Sequence, residues 1–510
     1  MISSARRVAD FEIFLLAPAI LILALPASLP KIFGGLALIW IALLWLCRFI
    51  ARGYLSVATP VDLPILFLWL LLPLNLYASA DAELSRASLF RFIGETAILY
   101  AVVNWAADTP NRAARVRLLS VGLVAVGTGV TLLGLLATNL SAGKVLNFDI
   151  LNRLPHLIVP LVNPLGVNAN FTGGLAAVLL PLAVAQLLWT KEPLPRIIGL
   201  VGALALGATT LITQSRGAWL GVALALVVMT LFNFRRAWLS LFILIPALVI
   251  ALNFFGVERF LDFVAGGGTI ESGAGRLEIW ERALYMLQDF PFTGVGIGTF
   301  GKVASVLYPF FTIAPDTQVP HAHNIYLQAG VDHGIPGMVA LIGFLTALFV
   351  TGLISIRRAQ DTPWRGLAVG LFGALVVYLA HGMFDAIDNT LKTSALIYAS
   401  FGLLIATARC VMPFDISAQT TESFHAQTLP SSHSGNVAAR RWRALLAAFK
   451  RPSFQTAMLW ALVSLLAIGV VGNGVFWGLA LVILGGLAVG LQGTLIFFRR
   501  APDLEQSFKL

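Results

Sequence analysis

The chain has 510 residues, of which 58% are hydrophobic and only 11% are charged, and its formal net charge is +10. Its mean hydropathy is +0.87. Because a soluble domain carries about 25% charged residues, this composition excludes a soluble fold, and it also excludes intrinsic disorder, a disulfide scaffold and a coiled coil. It predicts an all-α polytopic membrane protein.

Apolar stretches recur along the whole chain and predict about 12–14 transmembrane helices, since ~20 residues cross a bilayer. In chain order the predicted spans are Phe11–Leu29, Ile32–Phe49, Leu63–Leu76, Leu89–Trp105, Leu118–Leu136, Phe171–Trp189, Ile197–Ile212, Trp219–Phe232, Ala237–Phe254, Ile335–Ile354, Gly366–His381, Ser394–Ala408, Ala457–Val471 and Val475–Phe498. The segment 1–411 is expected to form a twelve-helix catalytic core. Residues 412–455 are expected to form a cytoplasmic linker with a basic segment, and 456–510 an accessory helix hairpin.

The distribution of Lys and Arg sets the expected orientation. If the N-terminus is cytoplasmic and the spans alternate, most of the 34 Lys and Arg residues fall on the cytoplasmic side, as the positive-inside rule requires. Both termini are then cytoplasmic, and the long segment 255–334 is an external loop. Since this rule accounts for the positive charge, we expect membrane lipid and no nucleic acid as a partner.

Two arginines on the predicted external side are candidates for anion binding. Arg216 lies in the run Gln214–Gly221 between two spans, where a guanidinium can donate two parallel hydrogen bonds to a phosphate; a snorkelling interfacial arginine is the alternative. Arg276 begins a predicted amphipathic helix with Leu277, Trp280, Leu284 and Leu287 on its apolar face. Arg282 can pair with Glu278 four residues earlier, whereas Arg276 lacks such a partner and is expected to be freer to bind a ligand.

Histidines concentrate just before the tenth predicted span. His321, His323 and His333 lie here, and Pro336 suits the first turn of the helix that follows. A histidine near arginines at an external membrane mouth fits a general base. A capping or core histidine and a metal site at His321 and His323 are the alternatives, and the metal site is disfavoured because no further motif supports it.

These motifs together resemble the O-antigen ligase and O-antigen polymerase superfamily. The resemblance rests on His323-Asn324 followed by Gly334-Ile335-Pro336-Gly337, on Ser215-Arg216-Gly217, on Arg276 with Trp280, and on Asn163-Pro164 with Asn168–Asn170. It covers roughly residues 120–408, and the final helix pair departs from the usual twelve-helix plan.

The resemblance implies a bacterial inner-membrane glycosyltransferase with an external (periplasmic) active site. Its donor would be an undecaprenyl-pyrophosphate glycan and its acceptor a hydroxyl of a lipid A–core sugar. His323 would be the base, and Arg216 and Arg276 would bind pyrophosphate. Supporting roles would fall to Asn324, Arg282, Asn168, Asn170 and Tyr326. Inverting transfer without cofactor or metal is expected.

Three alternatives stay open at this point. A polymerase joining glycan repeats and a protein O-oligosaccharyltransferase differ from a ligase in the acceptor, which the sequence does not identify. A transporter or flippase of lipid-linked glycans belongs to a different class. It is disfavoured because the chain shows no internal repeat and carries a histidine-bearing external loop.

Overall fold

The computed structural model describes residues 2–24, 30–138, 168–233, 273–314, 317–411 and 475–499, and fifteen helices lie within them. The helices are α1 Ile2–Asp10, α2 Glu12–Ala24, α3 Lys31–Arg52, α4 Asp62–Tyr77, α5 Ala82–Ala107, α6 Arg112–Leu136, α7 Ala169–Trp189, α8 Pro193–Ile212, α9 Arg216–Asn233, α10 Gly273–Asp289, α11 Phe300–Leu307, α12 Ile325–Arg358, α13 Arg365–His381, α14 Leu391–Val411 and α15 Val475–Arg499.

The helices confirm an all-α, multi-pass membrane protein. Seven described helices are long and apolar enough to cross a bilayer, and further apolar helices are shorter. Twelve of the fourteen predicted spans coincide with a helix. The other two, Ala237–Phe254 and Ala457–Val471, lie outside the described residues, as does the predicted linker at 412–455.

Helix α7 occupies the centre of the bundle. It packs against α6, α8, α9, α13 and α14, and it is mostly buried, as are α12 and α14. Helices α3, α8 and α9 bury much less of their surface, and large apolar side chains such as Leu36 and Leu204 are exposed on them. Because a bilayer takes up such surface, these helices form the expected lipid-facing side of the bundle.

Polar contacts group the helix ends in agreement with the alternating spans. On one face, Arg48 forms ion pairs with Glu12 at 3.1 Å and with Asp108 at 2.7 Å. On the other face, Lys302 pairs with Asp81 at 2.7 Å. The segments joined on each face are those that the charge distribution predicts to share a side of the membrane.

The loop that the charge distribution predicts to be external has a small apolar core of its own. Ile279, Ala283 and Met286 of α10 are buried there with Phe300 of α11. The predicted apolar face of α10 is correct only in part, because Leu287 is buried and Trp280 packs on this core, whereas Leu277 is 44% exposed. The buried stripe is the one that faces the rest of the loop, and it includes Arg276.

Helix α12 is interrupted at Gly334, where φ is 71°. A side chain is disfavoured at this backbone conformation, and a Cβ atom would lie 2.6 Å from the carbonyl oxygen of Pro291. Pro336 follows in the first turn of the continuing helix, as predicted. The break separates a short entry helix, which begins at Ile325, from the long span.

Candidate functional site

His323 lies at the point where the external loop enters α12. Its φ of 48° is in the left-handed region, which is uncommon for a residue other than glycine. The following Asn324 is the N-cap of α12, where its side chain accepts hydrogen bonds from the amides of Tyr326 at 2.9 Å and Leu327 at 3.0 Å. The left-handed backbone conformation of His323 costs about 1–3 kcal/mol. The N-cap at Asn324 holds the histidine in this conformation.

The loop between α13 and α14 supplies the partner of His323. The entry helix is joined to this loop by two hydrogen bonds, from the Ile325 amide to Gly382 at 2.8 Å and from the Asn324 side chain to Met383 at 3.1 Å. They bring Oδ1 of Asp385 to 3.1 Å from Nδ1 of His323. Both side chains are buried.

This contact determines which ring nitrogen of His323 is available for chemistry. Burial alone would raise the pKa of Asp385, but the charge of His323, its hydrogen bond and the charge of Arg276 outweigh burial and hold that pKa well below its usual range. An ionised carboxylate only accepts, so Nδ1 of His323 donates. In the neutral ring Nε2 is then the acceptor, and it has no hydrogen-bond partner among the described residues.

His321 completes a compact group of three side chains. Its ring lies 4.1 Å from that of His323 between centroids, and its Nδ1 accepts a hydrogen bond of 3.2 Å from the His323 amide. Burial, His323 and Arg276 lower the pKa of His321 well below its usual value, so the ring is neutral. His321, His323 and Asp385 each offer a ligand atom within 4.8 Å of the others, and they could hold a metal ion.

Arg276 lies at the same place, but it is buried rather than open to solvent. Its guanidinium donates to the backbone oxygen of Phe384, directly beside Asp385. The expectation that Arg276 would be freer for want of a neighbour on its own helix was therefore wrong, because the contact comes from a distant loop. Its positive charge acts on both His321 and Asp385.

Arg216 is half-buried and is the first residue of α9, and its neighbours Ser215 and Gly217 lie against a third buried histidine of the site. His381, at the end of α13, lies with Nε2 at 3.3 Å from Oγ of Ser215. A Cβ atom on either Gly174 or Gly217 would come within 2.6 Å of the imidazole ring. Only glycines at both positions allow the ring to fit here, so α7, α9 and α13 meet closely at this point.

The predicted supporting residues divide into two groups. Asn168 caps α7 by accepting from the Asn170 amide at 2.7 Å, and Phe171 of the same turn lies 6.1 Å from the His321 ring. Tyr326 donates to Leu379 at 3.3 Å within the same helix junction.

Arg282 belongs to a different local group. It pairs with Glu278 at 3.4 Å, as predicted, and its guanidinium lies over the ring of Phe311 at 5.3 Å. Glu278 in turn accepts from the Thr312 amide at 2.9 Å. The described contacts of Arg282 therefore stabilise the external loop.

Two residues of this site are not among the predicted site residues: the sequence offers Asp385 only as an alternative should His323 not be the base, and it gives His381 no role. Asp385 and His381 come from the end of α13 and the loop after it, outside the motifs that drew attention to the other residues. The signal was an acidic residue and a histidine at the external end of a predicted span, in a chain with only 24 acidic residues and seven histidines. Intramembrane and mouth-lining ionisable groups are functional candidates by default.

Comparison with known families bears on this region. The family model described as O-antigen ligase matches residues 200–342. This range includes Arg216, Arg276 and His323, and the match confirms the predicted resemblance to the O-antigen ligase and polymerase superfamily. No curated protein matches the chain at a significant level.

Proposed function

We propose that this protein of the O-antigen ligase and polymerase superfamily is a membrane glycosyltransferase. It transfers a glycan from undecaprenyl pyrophosphate to a hydroxyl of a lipid A–core sugar on the external side of the inner membrane. The observation that carries the proposal is the His323–Asp385 contact, which leaves Nε2 of a buried histidine without a partner among the described residues. An imidazole nitrogen in this state can accept a proton.

The proposed reaction is a direct displacement at the anomeric carbon. Nε2 of His323 takes the proton of the acceptor hydroxyl, whose oxygen forms the new bond to the anomeric carbon from the face opposite the leaving group. The bond from that carbon to the pyrophosphate oxygen breaks, and undecaprenyl pyrophosphate leaves with the electron pair. The configuration is inverted, and Asp385 stabilises the imidazolium that forms.

Arg216 and Arg276 are proposed to stabilise the charge that develops on pyrophosphate. Positive groups held in place before the reaction contribute most when they face the atoms on which charge appears. Helix α9 begins at Arg216 next to the His381 contact, and Arg276 is held beside Asp385. Both therefore start from elements that meet at the histidine group.

The acceptor separates this function from its nearest alternatives. A polymerase would transfer to another glycan repeat, and a protein O-oligosaccharyltransferase to Ser or Thr. A flippase would move the donor without breaking the glycosidic bond, and a buried His–Asp pair with one available acceptor nitrogen gives it no advantage. The described contacts thus favour transfer over transport.

Two experiments test the proposal. Purified full-length protein is incubated with an undecaprenyl-pyrophosphate glycan and, separately, with lipid A–core, a single glycan repeat and a Ser/Thr peptide. We expect product only with lipid A–core, and none from His323→Ala. If the protein is a ligase, cells that lack the gene should accumulate undecaprenyl-linked long glycan. Accumulation of single repeats would instead indicate a polymerase. If none of the three acceptors yields a product, the result contradicts the transferase assignment.

A further inference from the structure

A cavity of about 580 Å³ lies at the opposite end of the helices that carry the histidine group. Its lining comes from the beginning of α6, the end of α7, the beginning of α8 and the connection between α12 and α13. The residues that matter for its chemistry are Arg117, Ser120, Gln186, Trp189, Lys191 and Trp364.

The cavity and the histidine group lie at opposite ends of two shared helices. Helix α7 runs from its first turn beside His321 to Trp189 at the cavity, a length of about 30 Å at ~1.5 Å per residue. Helix α13 begins after Trp364 at the cavity and ends at His381. The cavity is therefore separate from the proposed transfer site, and the charge distribution predicts that it opens toward the cytoplasmic leaflet.

Gln186, in the cavity lining, has a side-chain acceptor without a hydrogen-bond donor among the described residues. This residue is only 5% exposed, and its Nε2 donates to the backbone oxygen of Ser120 at 2.6 Å. Because that oxygen only accepts, the orientation of the amide is determined. Its Oε1 has no hydrogen-bond partner among the described residues. A buried acceptor without a donor is costly, so a ligand that supplies a hydroxyl or amine proton is favoured here.

The charges around the cavity favour an anion. Arg117 and Lys191 contribute two positive charges against the single carboxylate of Glu192, which lies 3.5 Å from Arg117. The guanidinium of Arg117 lies over the ring of Trp364 at 5.4 Å. This stacking orients the cation, and tryptophan is enriched where helices leave the bilayer.

Apolar surface beside the cavity indicates that the anion belongs to a lipid. Leu188 is 61% exposed and Leu194 is 65% exposed, and each is the chain neighbour of a residue that lines the cavity, Trp189 and Pro195. Acyl chains can pack on such side chains while the headgroup enters the cavity. A free soluble anion would gain nothing from them.

We propose that this cavity binds an anionic glycerophospholipid whose headgroup carries a hydroxyl, namely phosphatidylglycerol. The phosphate contacts Arg117 and Lys191, a glycerol hydroxyl donates to Oε1 of Gln186, and the acyl chains lie along Leu188 and Leu194. The ligand would hold together the ends of α6, α7 and α13 on the face away from the transfer site.

Native mass spectrometry of the full-length protein tests this proposal by competition between two lipids. Phosphatidylglycerol and phosphatidylmethanol both carry one negative charge, but only the first has headgroup hydroxyls. We expect wild-type protein to retain phosphatidylglycerol about fivefold more, the ratio that one hydrogen bond gives. Gln186→Met should abolish this preference. Equal retention of the two lipids by the wild type would overturn the proposal, whether or not that variant folds.

The role of the positive charges in the cavity can be tested against an exposed arginine outside it. Replacing Arg117 and Lys191 together with Gln should weaken retention of both lipids by roughly tenfold. Arg196→Gln removes an exposed charge from the beginning of α8, outside the cavity lining, and should leave retention unchanged. An equal loss in Arg196→Gln would indicate nonspecific surface attraction and reject the site. Displacement of the lipid by millimolar inorganic phosphate would show that a free anion occupies the cavity, which also contradicts the proposal.

Discussion

Nδ1 of His323 lies 3.1 Å from Oδ1 of Asp385, although the two residues are 62 positions apart in the chain. The contact joins the external loop to the connection between α13 and α14. It gives His323 a defined tautomer, and it makes Asp385 a positioning residue for the proposed base.

Asp385→Asn should slow transfer without preventing donor binding. Loss of a charged hydrogen bond worth about 1.5–3 kcal/mol corresponds to a decrease of roughly 10- to 100-fold in rate. We expect the decrease in kcat, with KM for the donor little changed. A variant with normal kcat, at the same protein level, would contradict the positioning role.

The pH profile gives a second measure of this pair. Because the folded pKa of Asp385 is depressed, the carboxylate is ionised at any pH above its unfolded value of about 3.9. Its stabilising contribution is lost only as pH falls through the folded value. Protonation of Asp385 should therefore not lower the thermal stability of the wild type between neutral and mildly acidic pH. A loss of stability in that range that is absent from Asp385→Asn would contradict the depressed pKa of this carboxyl.

His323→Ala should decrease transfer by about 10²–10⁴-fold, the usual contribution of a general base. His333→Ala is the matched control, because His333 is also buried, in the helix that follows His323, but contacts Asn75 instead of Asp385. His321→Ala should decrease transfer less than His323→Ala, because the His321 ring packs against His323 but is not the proposed base. Transfer from the purified donor is measured for variants whose thermal stability equals that of the wild type. Near wild-type turnover by His323→Ala would exclude His323 as the base.

Much of this site was predictable because charged side chains are rare in an apolar chain and each requires an explanation. Arg216, Arg276 and His323 were found in this way. Asp385 and His381 were not, because their roles depend on how α13 packs against α7, α9 and α12, and no local pattern encodes that packing. The spans were predictable for a related reason, since a bilayer requires long apolar runs.

The external loop was the part that sequence periodicity described least well. Leu277 fits the predicted apolar stripe of α10, yet it is exposed, and Ile279 is buried instead. A short helix with apolar residues on more than one side can turn either side inward. The choice is made by contacts with Phe300 and its neighbours, which are distant in sequence.

Chelation should leave transfer unchanged. Nδ1 of His323 donates to Asp385, so this nitrogen cannot bind a metal ion while the contact is present, and the proposed reaction needs Nε2 as a base rather than as a metal ligand. We expect purified protein to lose no activity in excess EDTA and to contain less than one equivalent of metal by elemental analysis. Activity that disappears with EDTA and returns with a divalent cation would instead support metal binding by His321, His323 and Asp385.

Cysteine labelling tests the predicted orientation. In a Cys47→Ser, Cys410→Ser background, Ser305→Cys lies on an exposed position of α11 and should react with an impermeant maleimide added to the external face. Pro430→Cys, in the predicted cytoplasmic linker, should react only after the membrane is permeabilised. The reverse pattern would invert the topology and place the histidine group in the cytoplasm.

Arg216→Lys and Arg276→Lys test whether the arginines recognise pyrophosphate by geometry or only by charge. Lysine keeps the positive charge but loses the planar fork that binds two phosphate oxygens. We therefore expect each variant to lose roughly 10- to 100-fold in transfer, the effect of one charged contact worth about 1.5–3 kcal/mol. Arg276→Lys also loses the contact with the Phe384 oxygen, so thermal stability must be measured with it.

Arg282→Lys is the control, since its described partners lie within the external loop, and it should retain transfer. Normal transfer by both test variants would reject recognition by the guanidinium fork, and a decrease in Arg276→Lys that follows its loss of stability would assign that residue a structural role.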